Sequence, residues 1–122
     1  MSHIDWDAGT VRLAAYDRQG GLCLRCYEPM GEREGGRWEA HHRLRRRDMP
    51  KGGKWCPCNI VALHARCHTQ GPQAVHDHPE EARETGLILD TSADPREVPV
   101  WIEWPWSGPA LLDCESLVCS IL

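Results

Sequence analysis

The stretch Asn59-Ile60-Val61-Ala62-Leu63-His64-Ala65-Arg66-Cys67-His68 decides how this 122-residue chain is read. It opens on a short apolar run and passes into a His-x2-Cys pair with a further histidine directly after Cys67. Upstream, Cys23-x2-Cys26 repeats the same spacing. Two ligands three positions apart on a tight knuckle can both reach one ion, at about 2.3 Å for a thiolate and about 2.0–2.1 Å for an imidazole. Cys23, Cys26, His64 and Cys67 therefore make a complete tetrahedral zinc set. A lone Cys-x2-Cys also serves redox chemistry, and it is the second pair at matching spacing that favours metal. Cys56 or Cys58, which flank Pro57 just ahead of Asn59, is an alternative to His64 as fourth ligand.

Composition supports a metal-stapled domain. The chain is 41% hydrophobic, with six Trp and no Phe, and it carries seven Cys and seven His. So small a domain has a modest core and commonly needs a staple. An odd cysteine count leaves at least one thiol unpaired in any disulfide scheme. Met1-Ser2-His3-Ile4-Asp5 lacks the basic start and apolar stretch of a signal peptide, so a reducing, cytoplasmic setting is expected, where clustered cysteines are metal ligands. No apolar run approaches the roughly 20 residues of a membrane span. The net charge of −4 excludes a uniformly basic nucleic-acid coat. Residues 33–54 differ: Arg33, Arg37, Arg43, Arg45, Arg46, Arg47, Lys51 and Lys54 outnumber Glu34, Glu39 and Asp48 by five.

An α+β organisation follows. A helix is expected from about Ala8 to Arg18, with Asp7 as cap and Gly20-Gly21 as its end. Trp38 to Leu44 reads as a strand, and Pro50 to Lys54 as a loop. A second helix is expected over Pro79 to Thr85, capped by Asp77 or His78, with Glu80 and Glu81 in its first turn and Gly86 ending it. Leu87-Ile88-Leu89 and Val98 to Ile102 read as short strands. Residues 1–21 then form a helical segment, 22–90 the core, and 91–122 an extension packed on it. Trp101, Trp104 and Trp106 are expected in the core or on a partner surface, and Cys114 and Cys119 as buried thiols.

A second constellation comprises His41-His42, Asn59 and His68. Adjacent residues on a strand point to opposite faces. The natural division is that one imidazole binds a metal while the other carries protons.

These motifs resemble the HNH family of nucleases, whose fold is ββα-metal. Members commonly read Cys-x2-Cys, then Asp-His or His-His, then Asn, then Cys-x2-Cys-His with Asn nine residues before the last His. Here those are Cys23, Cys26, His41-His42, Asn59 and His64-x2-Cys67-His68. Residues 22–100 also resemble HNH proteins of actinobacterial phages, through His41-His42-Arg43, Val75-His76, Pro79, Ala82-Arg83-Glu84, Gly86, Asp94-Pro95 and Val98-Pro99-Val100. His64 stands where the family usually has Cys, and Thr69 to Ala74 is an insertion before Val75-His76, which leaves His76 a candidate ligand.

The resemblance implies metal-dependent hydrolysis of DNA. His42 would be the general base. His41 and His68, with His76 as candidate third ligand, would hold a catalytic Mg²⁺, Mn²⁺, Ni²⁺ or Zn²⁺. Asn59 would orient the loop beside His42, and zinc on Cys23, Cys26, His64 and Cys67 would be structural. Arg43, Arg45, Arg46, Arg47, Lys51 and Lys54 would meet the DNA backbone. For the phage relatives the resemblance implies work beside a large terminase in genome packaging, in the host cytoplasm. The competing reading is an inactive zinc-stabilised module that binds DNA or a protein.

Overall fold

A computed structural model describes residues 3–50 and 52–115, together with the backbone of Ser120–Ile121. Lys51 and Cys119, both singled out above, lie outside the described residues. The protein is a small α+β structure with few helices and two small antiparallel sheets.

Helix α1 spans Ala8–Arg18. Asp7 caps it, its Oδ2 accepting from the Thr10 amide at 3.0 Å and so satisfying a donor that the first turn leaves free. Gly20 and Gly21 end it at φ of 64° and 75°. At Gly20 a Cβ would also meet the Trp104 ring at 2.5 Å, so conformation and packing both demand glycine there.

Strands β1, Trp38–His42, and β2, Ile60–His64, pair antiparallel, with Trp38 opposite His64, His41 opposite Val61 and His42 opposite Ile60. Every residue of β2 is buried, which is why its sequence is a continuous apolar run without alternation. Its free edge is closed by side chains from the end of α1. Arg18 donates to the Ile60 carbonyl at 2.5 Å, and Gln19 both accepts from the Ala62 amide at 2.8 Å and donates to the Ala62 carbonyl at 2.9 Å. Backbone groups that would otherwise be unpaired in the core, or open to another chain, are thereby satisfied. At the start of β1, Trp38 packs on Tyr16 and lies under the Arg12 guanidinium, 3.9 Å from its ring centre.

Beyond β2 the chain makes a π-helical turn over Arg66–Gln70, a 3-10 turn over Val75–Asp77, and the short helix α2, Pro79–Glu84. His78 takes the cap position of α2 without a side-chain cap bond, and its Nε2 donates instead to the Pro72 carbonyl at 2.6 Å. Gly86 turns the chain at φ 78°; a Cβ here would lie 2.1 Å from the Pro99 carbonyl oxygen, so glycine lets the end of α2 lie against the next sheet.

That sheet consists of β3, Val100–Ile102, β4, Gly108–Leu111, and β5, Ser120–Ile121, in that order. The strand expected at Leu87 to Leu89 does not form. The amides of Leu87 and Ile88 both bond the Ala82 carbonyl, and the Leu89 amide bonds the Arg43 carbonyl, so the segment folds back on α2 and lines the β1 loop. The core runs through Val11, Leu24, Leu44, Ile60, Leu63 and Leu87 to Val100, Ile102 and Leu112. Among the described residues, no helix is long and apolar enough to cross a membrane.

Candidate metal centres

Among the described residues, three groups of side chains converge closely enough to share an ion: Cys23, Cys26, His64 and Cys67; His41, His68 and His76; and His3, Cys56, Cys58 and Cys114. Within each, the donor atoms lie within 4.8 Å of one another. Both thiol-rich groups could hold a structural metal such as zinc.

The first group is built on a knuckle. Leu22 and Pro29 form an isolated bridge, the Tyr27 amide bonds the Cys23 carbonyl at 2.9 Å, and Tyr27 takes a positive φ of 63° to close the turn. Burial pushes the Cys23 thiol above its ordinary value, and the amides of Arg25 and His64, 3.3 and 3.4 Å from its Sγ, offset only part of that. His64 Nδ1 lies 3.2 Å from Cys26 Sγ, while its Nε2 donates to the Pro29 carbonyl at 2.9 Å. That second bond fixes the tautomer and leaves Nδ1 as the metal-facing atom. Burial opposes ionisation of Cys26, yet the Glu28 amide and the Cys67 and Cys23 thiols outweigh it and its pKa falls below the ordinary value. Burial and the neighbouring Cys23 and Cys26 push Cys67 up to about 12. Three thiolates gathered here would repel one another, and a bound dication would supply the compensation they need. Cys56 and Cys58 belong to a different group, so His64 completes this set.

The second group lies where β1 faces the turns after β2. The rings of His41, His68 and His76 sit edge to face, with centroids 5.0, 5.6 and 4.8 Å apart. Residues 69–74 run through the end of the π-helical turn and the loop to Val75, and they bring His76 back to the other two histidines. Two of the three rings are held from behind. His41 Nε2 donates to the Leu87 carbonyl at 2.5 Å, and His68 Nδ1 meets Glu39 Oε1 at 2.9 Å. This leaves Nδ1 of His41 and Nε2 of His68 for an ion, the outer-shell arrangement that orients imidazole ligands. Burial first, then the neighbouring histidines, pushes His41 down to about 3; burial and His68 also lower His76. Neutral rings are the form that binds metal. A three-nitrogen set with further coordination positions open suits a divalent first-row ion.

His42 points to the other face of β1 and packs on Trp55, with ring centroids 4.5 Å apart. Burial, then the charges of Arg46 and His68, pushes it down to about 4. Among the described residues, its buried Nε2 has no hydrogen-bond partner. Asn59 is fully buried and holds the backbone just beyond His42: its Oδ1 accepts from the Leu44 amide at 2.7 Å and its Nδ2 donates to the Leu44 carbonyl at 2.9 Å. A cleft of about 660 Å³ opens here, lined by His41, His42, Arg45, His76, Arg83 and Asp90 among others.

Arg43 does not belong with the phosphate-facing residues expected from the sequence. It is 1% exposed, and its guanidinium donates to the carbonyls of Gly86, Cys58, Pro95 and Val98 at 2.7, 2.8, 3.0 and 2.5 Å. Its reach is spent joining the end of β1 to the turn before β2 and to the loops that follow α2. Arg45, Arg46, Arg47 and Lys54 are exposed. Sequence reasoning missed Glu39 behind His68, Arg83 in the cleft, and the grouping of His3 and Cys114 with Cys56 and Cys58. Only Arg83 had a local signal, four residues beyond Pro79 on a recognisable helix. Comparison with family models, curated proteins and solved structures finds no match for this chain.

Proposed function

We propose that the protein is a metal-dependent DNA endonuclease of the HNH type, with β1, β2 and the helical turns after β2 serving as its ββα-metal unit. One observation carries the reading. Three imidazoles that can share an ion stand beside a fourth, His42, which lines an arginine-bearing cleft and whose Nε2 has no hydrogen-bond partner among the described residues.

In this reading His41, His68 and His76 hold a divalent ion, which when bound supplies Lewis-acid stabilisation of charge on the phosphate and the departing 3′ oxygen. His42, neutral at physiological pH, accepts a proton from the attacking water. Trp55 fixes one side of its ring, and Asn59 fixes the backbone behind it by pinning Leu44. Arg45, Arg46, Arg47 and Lys54 meet backbone phosphates, and Arg83 faces the cleft from α2. By its resemblance to actinobacterial phage proteins, the proposed activity would work beside a large terminase.

The test is cleavage of supercoiled plasmid by the purified protein with Mg²⁺, Mn²⁺, Ni²⁺ or Zn²⁺, alongside an EDTA control and His42→Ala. Metal-dependent nicking that vanishes in a His42→Ala protein still carrying its thiolate-bound zinc is the expected result. No cleavage with any metal, from folded and zinc-loaded protein, assigns the domain to a binding role instead.

A further inference from the structure

From the geometry of His3, Cys56, Cys58 and Cys114 we infer a second resident zinc site, which staples both ends of the chain to the turn that leads into β2. The four residues come from three distant places: the N-terminal arm, the Cys56-Pro57-Cys58 turn, and the segment after β4. Nothing in local sequence brings them together, yet their donor atoms adopt the spacing of a coordination shell. A tetrahedron with metal–sulfur bonds near 2.3 Å has sulfur–sulfur edges of about 3.7 Å. Cys58 Sγ lies 3.4 Å from Cys56 Sγ and 4.0 Å from Cys114 Sγ. His3 Nδ1 lies 3.2 Å from Cys58 Sγ and 3.6 Å from Cys114 Sγ.

All three cysteines are free and buried, at 0%, 0% and 1% exposure. Thiols are weak hydrogen-bond partners, and three of them gathered on one imidazole contribute little cohesion without an ion. The surroundings are also those of a metal site. The other face of His3 is turned toward a carboxylate: its Nε2 lies 3.6 Å from Asp94 Oδ1, and Asp94 is held in turn by Arg96 at 2.6 Å. A carboxylate behind a ligating imidazole commonly orients the ring toward its zinc. Soft thiolates with one imidazole, closed off from solvent, select a tetrahedral structural ion such as zinc.

The consequence is mechanical and does not depend on the nuclease reading. Closing long loops removes much of the unfolded chain's freedom, and here one ion closes loops of 55 and 111 positions, to His3 from Cys58 and from Cys114. Neighbouring contacts reinforce the arm: Asp5 Oδ1 accepts from the Trp55 amide at 2.9 Å, and the Trp6 amide donates to the Trp55 carbonyl at 3.4 Å.

The experiment uses the full chain, purified under reducing conditions and washed with EDTA to remove ions held only by imidazoles. Elemental analysis should find about two zinc per chain, falling to about one in Cys58→Ser/Cys114→Ser. Cobalt substitution reads the same sites through thiolate-to-cobalt charge transfer, to which an all-histidine site contributes nothing. That absorbance should fall by about half in the double variant. His3→Ala and Cys114→Ser each alter a single ligand, one in the N-terminal arm and one in the segment between β4 and β5, and guard against loss of the whole fold. Each should weaken the second zinc while retaining the first, and should raise amide exchange in residues 4–6 and 112–115. A single zinc in the wild-type chain, or two retained in the double variant, overturns the inference.

Discussion

Replacing Arg43 by Lys distinguishes a residue that holds the fold from one proposed to hold DNA. The guanidinium reaches four carbonyls spread around one plane, from Cys58, Gly86, Pro95 and Val98. An ammonium keeps the charge, but it is a point donor and cannot span that fan. If two of the four carbonyls lose their donor in so buried a place, the cost is about 1–3 kcal/mol each, or about 4 kcal/mol together. With an unfolding entropy of about 2.1 cal/mol/K per residue, a chain of this length loses about 15 °C of thermal midpoint. The assay is thermal unfolding at fixed zinc, paired with DNA binding at fixed salt, for Arg43→Lys and Arg45→Ala. Arg43→Lys should lower the midpoint by that amount, and Arg45→Ala should barely move it while weakening binding. An Arg43→Lys protein that melts within about 2 °C of wild type but binds DNA as weakly as Arg45→Ala would refute the structural role.

Replacing Arg45, Arg46 and Arg47 together by Ala should reduce the slope of log affinity against log salt by about 2–3, since each neutralised phosphate contributes about 0.9 on duplex DNA; an unchanged slope removes the arginine run from the interface. Asn59→Ala should abolish plasmid nicking and cost about 2 kcal/mol or more in urea unfolding, because it strips the Leu44 amide and carbonyl of their partners; full activity would show that the loop holds without it. His41 and His42 should remain neutral in imidazole spectra down to pH 5.5 in EDTA-washed, zinc-retaining protein, and midpoints near 6.5 would contradict their burial. Their folded values lie below the unfolded value, so the unfolded chain takes up protons first. Stability is full above about pH 6.5 and falls with acidification toward about 3–4, by up to about 1.4 kcal/mol per pH unit for each ring.

What the sequence determined by itself is local. Asp7 ahead of α1, Pro79 at the start of α2 and Gly86 at its end act through groups within a few positions of themselves, so capping and turn chemistry locate both helices. The ligand pairs Cys23/Cys26 and His64/Cys67 are each three residues apart, and chemistry at that spacing is visible without a fold. Adjacent His41 and His42 had to face opposite ways on any strand. Tertiary structure alone decided the rest. Arg43 sits in a basic run and looks like its neighbours; only the approach of the turn before β2 and of the loops after α2 supplies the carbonyls that bury it. Leu87 to Leu89 has strand composition, but its amides find the Ala82 and Arg43 carbonyls before any neighbouring strand. His3 and Cys114 join Cys56 and Cys58 across most of the chain length, a meeting that spacing cannot encode because packing of the whole core brings the two ends to one turn.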